Sequence, residues 1–355
     1  GQLEITADNG KKTEDGITVT IEDSSVLGYR APIYVNGSGN SIPDPNQALG
    51  LAHPIQDAID AAQPGDLILV NEGHYPELVI MWKPVRLQGV GAASVLINAA
   101  KYPTTKVENW RARIEPLFAR DAQGNALPGL SQVDPLPTQP VGGVTLTEPT
   151  TLAAQEGPGI TVLAKNPAAI ACDDPTMAAG LTSLVRESNF TCATSRIDGV
   201  SVTGGDGGGG VYVNGWAHNL EISNNRIYGN AGTTNGGLRI GQDGQARVAD
   251  VNGAFIPYNL NINIHNNAVT MNGTVEPIIG LAARVGAAPG GIGIYSGSDN
   301  YQITNNWVCG NYSSGNGGGI AHVGMSVDGN ISNNKILFNH NYNQASPANG
   351  GGLII

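Results

Sequence analysis

Residues Ile222–Asn230 read I-S-N-N-R-I-Y-G-N, and the same phrase returns three times. It is I-H-N-N-A-V-T-M-N at Ile264–Asn272, I-T-N-N-W-V-C-G-N at Ile303–Asn311 and I-S-N-N-K-I-L-F-N at Ile331–Asn339. A weaker relative, Ile197–Gly205, keeps the two apolar positions without the asparagines. Val211, Ile292 and Ile320, each behind a glycine pair, lie eleven residues ahead of a leading Ile. Leu238 lies twenty-six ahead of Ile264. A fixed phrase at a fixed step is the mark of a repeat architecture.

The shortest period is twenty-eight residues, from Ile303 to Ile331. Inside it apolar residues alternate, as in Leu220-Glu221-Ile222 and Ile262-Asn263-Ile264, which is the spacing of side chains sharing one face of a strand. Gly-Gly, Asn-Asn and Gly-Asn cut the period into short strands, because glycine and asparagine accept the positive φ of tight corners. No glycine-free amphipathic run is long enough for a helical repeat. The expected fold is all-β: a right-handed parallel β-helix solenoid with a short N-terminal capping helix and a large loop-rich insertion. Strands stacked about 4.8 Å apart would set Asn224, Asn266, Asn305 and Asn333 at one corner as a ladder of amides.

On these residues the chain resembles the right-handed parallel β-helix (pectate-lyase-like) superfamily of secreted and surface proteins, over residues 30–100 and 195–355. The resemblance implies a fold, while lyases, esterases, hydrolases and inert adhesins share it. Gly73-His74-Tyr75-Pro76-Glu77 matches a phrase of pectin methylesterases, but their paired aspartates and arginine motif have no counterpart downstream. Glu77 is therefore read as a corner or cap residue.

The 355 residues divide into an N-terminal β appendage (1–30), a capping helix and first coils (31–100), an insertion folded against the solenoid (101–190) and regular coils (191–355). In the second part Ile55, Ala58, Ile59 and Ala62 mark one helix face, ended by Pro64-Gly65. The last residues, Gly350–Ile355, align with Gly317–Ile320, so the regular part is expected to end mid-coil. Either the remainder of a longer parent chain or a second subunit would cover that end.

Fifty glycines and 21 prolines, with 40% hydrophobic residues and no collagen period, describe a turn-rich folded chain. A net charge of −11 with 18 basic residues argues against nucleic acid as a partner. No apolar run is long enough for a membrane span. Of three cysteines, Cys172 and Cys192 are candidates for a disulfide that would suit an exported protein, and Cys309 falls within the repeat.

If Val211, Leu238 and Ile292 point inward, the outward residues of those strands include Tyr212, Asn214, Arg239, Gly293 and Tyr295. Ala321 and Val323 follow on the next strand. An arginine between aromatic faces suits sugar rings and uronate carboxylates. Tyr212, Asn214, Arg239 and Tyr295, with Asp206, Asp243 and Asp299 near the glycine-rich corners, are the ligand-binding candidates. Arg239 is the one candidate catalyst. A polysaccharide lyase would use it as base, with carboxylates holding Ca²⁺. His322 falls inward. The alternatives are an extracellular, cell-surface or periplasmic scaffold within a larger secreted bacterial protein, with carbohydrate binding; a lyase; and a module that stacks on another chain.

Overall fold

The computed structural model describes residues 30–36, 53–118, 131–137, 157–167, 187–232, 235–242, 245–274, 289–342 and 349–355. The appendage expected over 1–30 thus lies almost wholly outside the described residues, as do Cys172, Asp243 and much of 101–190.

Three long sheets dominate, with eight, seven and seven strands, joined by one of four and one of two. Every strand pairing within them is parallel. The chain visits the three large sheets in turn. Leu220–Ser223 lies in the eight-stranded sheet, Arg226–Tyr228 in one seven-stranded sheet and Leu238–Ile240 in the other. This arrangement is compatible with a parallel β-solenoid. The register follows the repeated phrase: Ile222 pairs with Ile264, Ile264 with Ile303 and Ile303 with Ile331. Likewise Val211 pairs with Leu238, Leu238 with Ile292 and Ile292 with Ile320. These isoleucines, leucines and valines, with Ile227, Val269 and Val308, form one apolar core, against which Ile331 packs partly buried. Leu353–Ile354 adds a further parallel strand beside Ile320–Val323.

The corner after each leading Ile corrects the expected amide ladder by one position. Asn224, Asn266, Asn305 and Asn333 are left-handed, with φ of 56°, 56°, 57° and 56°, and their side chains are exposed. The next asparagine turns inward instead. Asn225 donates its backbone N–H (3.0 Å) and Nδ2 (3.1 Å) to Oδ1 of Asn267. Asn267 does the same to Asn306, and Asn306 to Asn334. Each Nδ2 also donates to the backbone carbonyl of Ile197, Ile222, Ile264 or Ile303. The reason is local: a left-handed residue swings its Cβ out of the turn, a conformation asparagine tolerates. The residue after it regains the inward direction.

The last asparagine of the phrase builds a second ladder. Asn230, Asn272, Asn311 and Asn339 are linked by paired N–H and Nδ2 donations to the following Oδ1, all at 2.9–3.1 Å. The glycine pairs sit beside it. A Cβ on Gly291 would come within 2.3 Å of the Gly319 carbonyl oxygen and 3.1 Å of Asn311 Nδ2. Only a residue without a side chain fits there.

The helix Pro54–Ala61 buries Ile55 and Ile59 in the same core as Ile68, Val79 and Leu87. Glu77, fully buried, accepts the N–H groups of Ile55 (3.1 Å) and Gln56 (3.0 Å) at its first turn. Lys83 Nζ donates to the carbonyls of Asp60 (2.8 Å) and Ala62 (2.7 Å) at its last turn. Carboxyl oxygens that accept the first-turn N–H groups and an ammonium that donates to the last-turn carbonyls satisfy groups that the helix ends leave unpaired. Gln56 binds the backbone N–H and C=O of Ile80, tying the helix to the strand Val79–Met81.

Within the region read as an insertion, a second helix, Thr105–Ile114, was not anticipated. Its Val107, Trp110 and Ile114 pack with Leu78, Ile80 and Leu163 in a separate apolar cluster on the other side of the strands Val79–Met81 and Ile160–Val162. The strand Ile160–Val162 pairs with Val79–Met81 on one side and Val211–Val213 on the other. Cys309 is a free thiol and Cys192 is disulfide-bonded.

Candidate functional site

The strands Val211–Val213, Leu238–Ile240 and Ile292–Tyr295 are adjacent and in register, so Tyr212 lies beside Arg239 and Arg239 beside Gly293. Since Val211, Val213, Leu238, Ile240, Ile292 and Ile294 belong to the core, alternation sends Tyr212, Arg239 and Tyr295 to the opposite face. The Arg239 guanidinium carbon lies 5.2 Å from the Tyr212 ring centroid and 5.1 Å from that of Tyr295. Both separations are within reach of cation–π attraction, which strengthens as water is excluded.

Water is excluded here. Tyr212 is 0% exposed, and Arg239, Tyr295 and Asn214 are each 1% exposed. The outward direction read from the sequence is correct, but the expectation of a ligand-facing surface overlooked how completely this face is covered. Arg239 Nε donates to the Gly241 carbonyl at 3.0 Å, and Nη2 donates to Oε1 of Gln242. Gln242 Nε2 in turn donates to the Tyr212 hydroxyl and, at 3.1 Å, to Asn214 Oδ1. The Tyr212 hydroxyl donates to the same Asn214 oxygen. Gln242 was missed by sequence reasoning. Its signal was Gly241, whose φ of 85° bends the chain back so that the next side chain meets the guanidinium.

The aspartates do not join this group. Asp206 is ion-paired with Lys101 at 3.0 Å. Asp299 takes both guanidinium nitrogens of Arg247, at 2.8 and 2.9 Å, and accepts the Val327 N–H at 2.9 Å. Each therefore holds backbone or a cation in place, and Asp243 lies outside the described residues. Among the described residues no three His, Cys, Asp or Glu side chains stand close enough to hold a metal ion.

His322 pairs in register with the core residue Ile294, and its Nδ1 meets the Tyr301 hydroxyl at 3.1 Å. Burial lowers its pKa, which suits a neutral ring. His218 is similar: its Nδ1 accepts the Leu260 N–H at 2.9 Å, and burial pushes its pKa down to about 4. Of the Asn-X-Ser/Thr sequons, Asn189, Asn272 and Asn311 are fully buried. In Asn272 and Asn311 the amide belongs to the second ladder.

No family model, curated protein or solved structure matches this chain. Among the described residues no helix is long and apolar enough to cross a membrane.

Proposed function

We propose that the chain is a non-catalytic scaffold of an extracellular or cell-surface protein, built as a right-handed parallel β-solenoid whose first coil is plugged by the helix Pro54–Ala61. The observation that carries this reading is the state of Arg239. The one arginine whose position suits attack on a bound uronate is clamped between Tyr212 and Tyr295 and 1% exposed. Its Nε and Nη2 already donate to neighbouring groups. A base must come within hydrogen-bond reach of the proton it takes, and this guanidinium is committed to packing. The in-register amide ladders support the same view, since they stiffen the stack without offering reactive groups.

The test is incubation of the protein with polygalacturonate and alginate while ultraviolet absorbance is followed for unsaturated uronate ends. The expected result is no absorbance change for the native protein, and for Arg239→Ala a lowered urea midpoint. Turnover by the native protein that disappears in Arg239→Ala would replace the scaffold reading with a lyase.

A further inference from the structure

The seven-stranded sheet that contains Arg226–Tyr228, Ala268–Thr270, Trp307–Cys309 and Lys335–Leu337 has a different character. The central residues Ile227, Val269 and Val308 are in the core, so their neighbours point away from it. Register places Arg226, Ala268, Trp307 and Lys335 in one line across four successive strands. Arg226, Trp307 and Lys335 are exposed, the indole by 42%. At about 4.8 Å per strand, the two cations stand about 14 Å apart with the indole between them. Lys335 Nζ lies 5.8 Å from the Trp307 ring centroid, which steadies the ring.

None of the seven strands of this sheet contains an Asp or Glu, in a chain whose net charge is −11. The carboxylates just ahead of Ser201–Thr203 and Arg226–Tyr228, Asp198 and Glu221, belong to the eight-stranded sheet, and Glu72 stands ahead of Gly73–Tyr75, three strands away from Arg226. Asp198 accepts from Ser223 and from Asn224 Nδ2, and Glu221 pairs with His265. Alongside the line runs the exposed row Asn224, Asn266, Asn305 and Asn333, each two residues ahead of its neighbour in the line. A flat indole, two cations that make no ion pair among the described residues and a row of exposed amides match a sugar chain bearing negative charge.

We propose that this face binds an acidic polysaccharide, with Trp307 under a sugar ring and Arg226 and Lys335 meeting its carboxylates or sulfates. Two cations are too few for the phosphate contacts that drive nucleic-acid binding, and an apolar protein partner would leave them unpaired. The inference uses the scaffold reading only for the extracellular setting. Cleavage assays test that reading, and binding assays test this one.

Titration calorimetry with polygalacturonate and with chondroitin sulfate separates carboxylate from sulfate recognition, with dextran and polyglutamate as neutral and non-sugar controls. Binding to at least one acidic polysaccharide is expected, with weaker or no binding to either control. It should fall about tenfold or more in Trp307→Ala and in the double variant Arg226→Ala/Lys335→Ala, whose urea midpoints match the native protein because these side chains are exposed. Lys335→Glu, a change at the surface, should weaken binding even if Trp307→Ala folds poorly. Three results would overturn the proposal: no binding to either acidic polymer, equal binding by native protein and variants, or polyglutamate binding as tightly. A concentration-dependent dimer lost in Trp307→Ala would also overturn it, assigning the face to a second copy.

Discussion

Substituting Asn267 by alanine tests the assignment of the inner ladder. Its Oδ1 accepts the Asn225 N–H at 3.0 Å and Asn225 Nδ2 at 3.1 Å, while its own Nδ2 donates to the carbonyls of Ile222 (2.8 Å) and His265 (3.0 Å) and to Asn306 Oδ1 (3.0 Å). After truncation Asn225 Nδ2 keeps the Ile197 carbonyl, and Asn306 Oδ1 keeps the Asn267 backbone N–H. The Asn225 N–H is left without its acceptor inside the corner, and the Ile222 carbonyl loses a donor. Each buried group so stranded costs about 1–3 kcal/mol, so Asn267→Ala should destabilise by about 2–6 kcal/mol. The neighbouring Asn266, exposed at φ 56°, offers the contrast. Asn266→Gly keeps the left-handed turn and should change stability by about 0.5 kcal/mol or less. Urea unfolding followed by circular dichroism compares the two, and hydrogen exchange should show the Asn225 amide losing protection in Asn267→Ala alone. Equal damage from both substitutions, or a silent Asn267→Ala, would refute the one-residue shift of the ladder.

Three further outcomes are expected. Gly291→Ala, whose Cβ would sit 2.3 Å from the Gly319 carbonyl oxygen, should force adjacent strands apart and cost about 1–3 kcal/mol or more, read as a lower urea midpoint. His218, pushed down to about 4 from an ordinary 6.5 by burial, stays neutral in the fold. Stability it supplies is therefore present above pH 6.5 and lost as pH falls towards 4, which urea midpoints measured across that window would show. Glu77, pushed up to about 8 from 4.5 chiefly by burial against its two N–H bonds, runs the other way. Its contribution is fullest below pH 4.5 and falls as pH rises through 8, a slope that Glu77→Gln should remove.

Strand register was legible because it depends on period alone: the steps between Ile222, Ile264, Ile303 and Ile331 are the pairings observed. The ladder was legible only to within one residue. Two adjacent asparagines have the same chemistry, and which one takes the left-handed φ depends on backbone geometry that composition does not carry. The second ladder was present in the text as the closing Asn of each phrase, and a side-chain amide recurring at fixed phase was its signal. Tyr212, Arg239 and Tyr295 were placed on the correct face by alternation. Their burial could not be read, because coverage of a sheet face comes from segments distant in sequence. Gln242 reaches the guanidinium through a bend at Gly241 that has no periodic signature.

The inner ladder joins Asn225 to Asn267, Asn267 to Asn306 and Asn306 to Asn334, across 42, 39 and 28 residues, with amide hydrogen bonds of 3.1, 3.0 and 3.0 Å. The chain between two links can thus lengthen by half again without altering the link. Loop length and stacking are decoupled, and each period behaves as an exchangeable cassette. Duplicating or excising the twenty-eight-residue step from Asn306 to Asn334 would extend or shorten the stack by one layer, while inserted sequence could diversify at its rim.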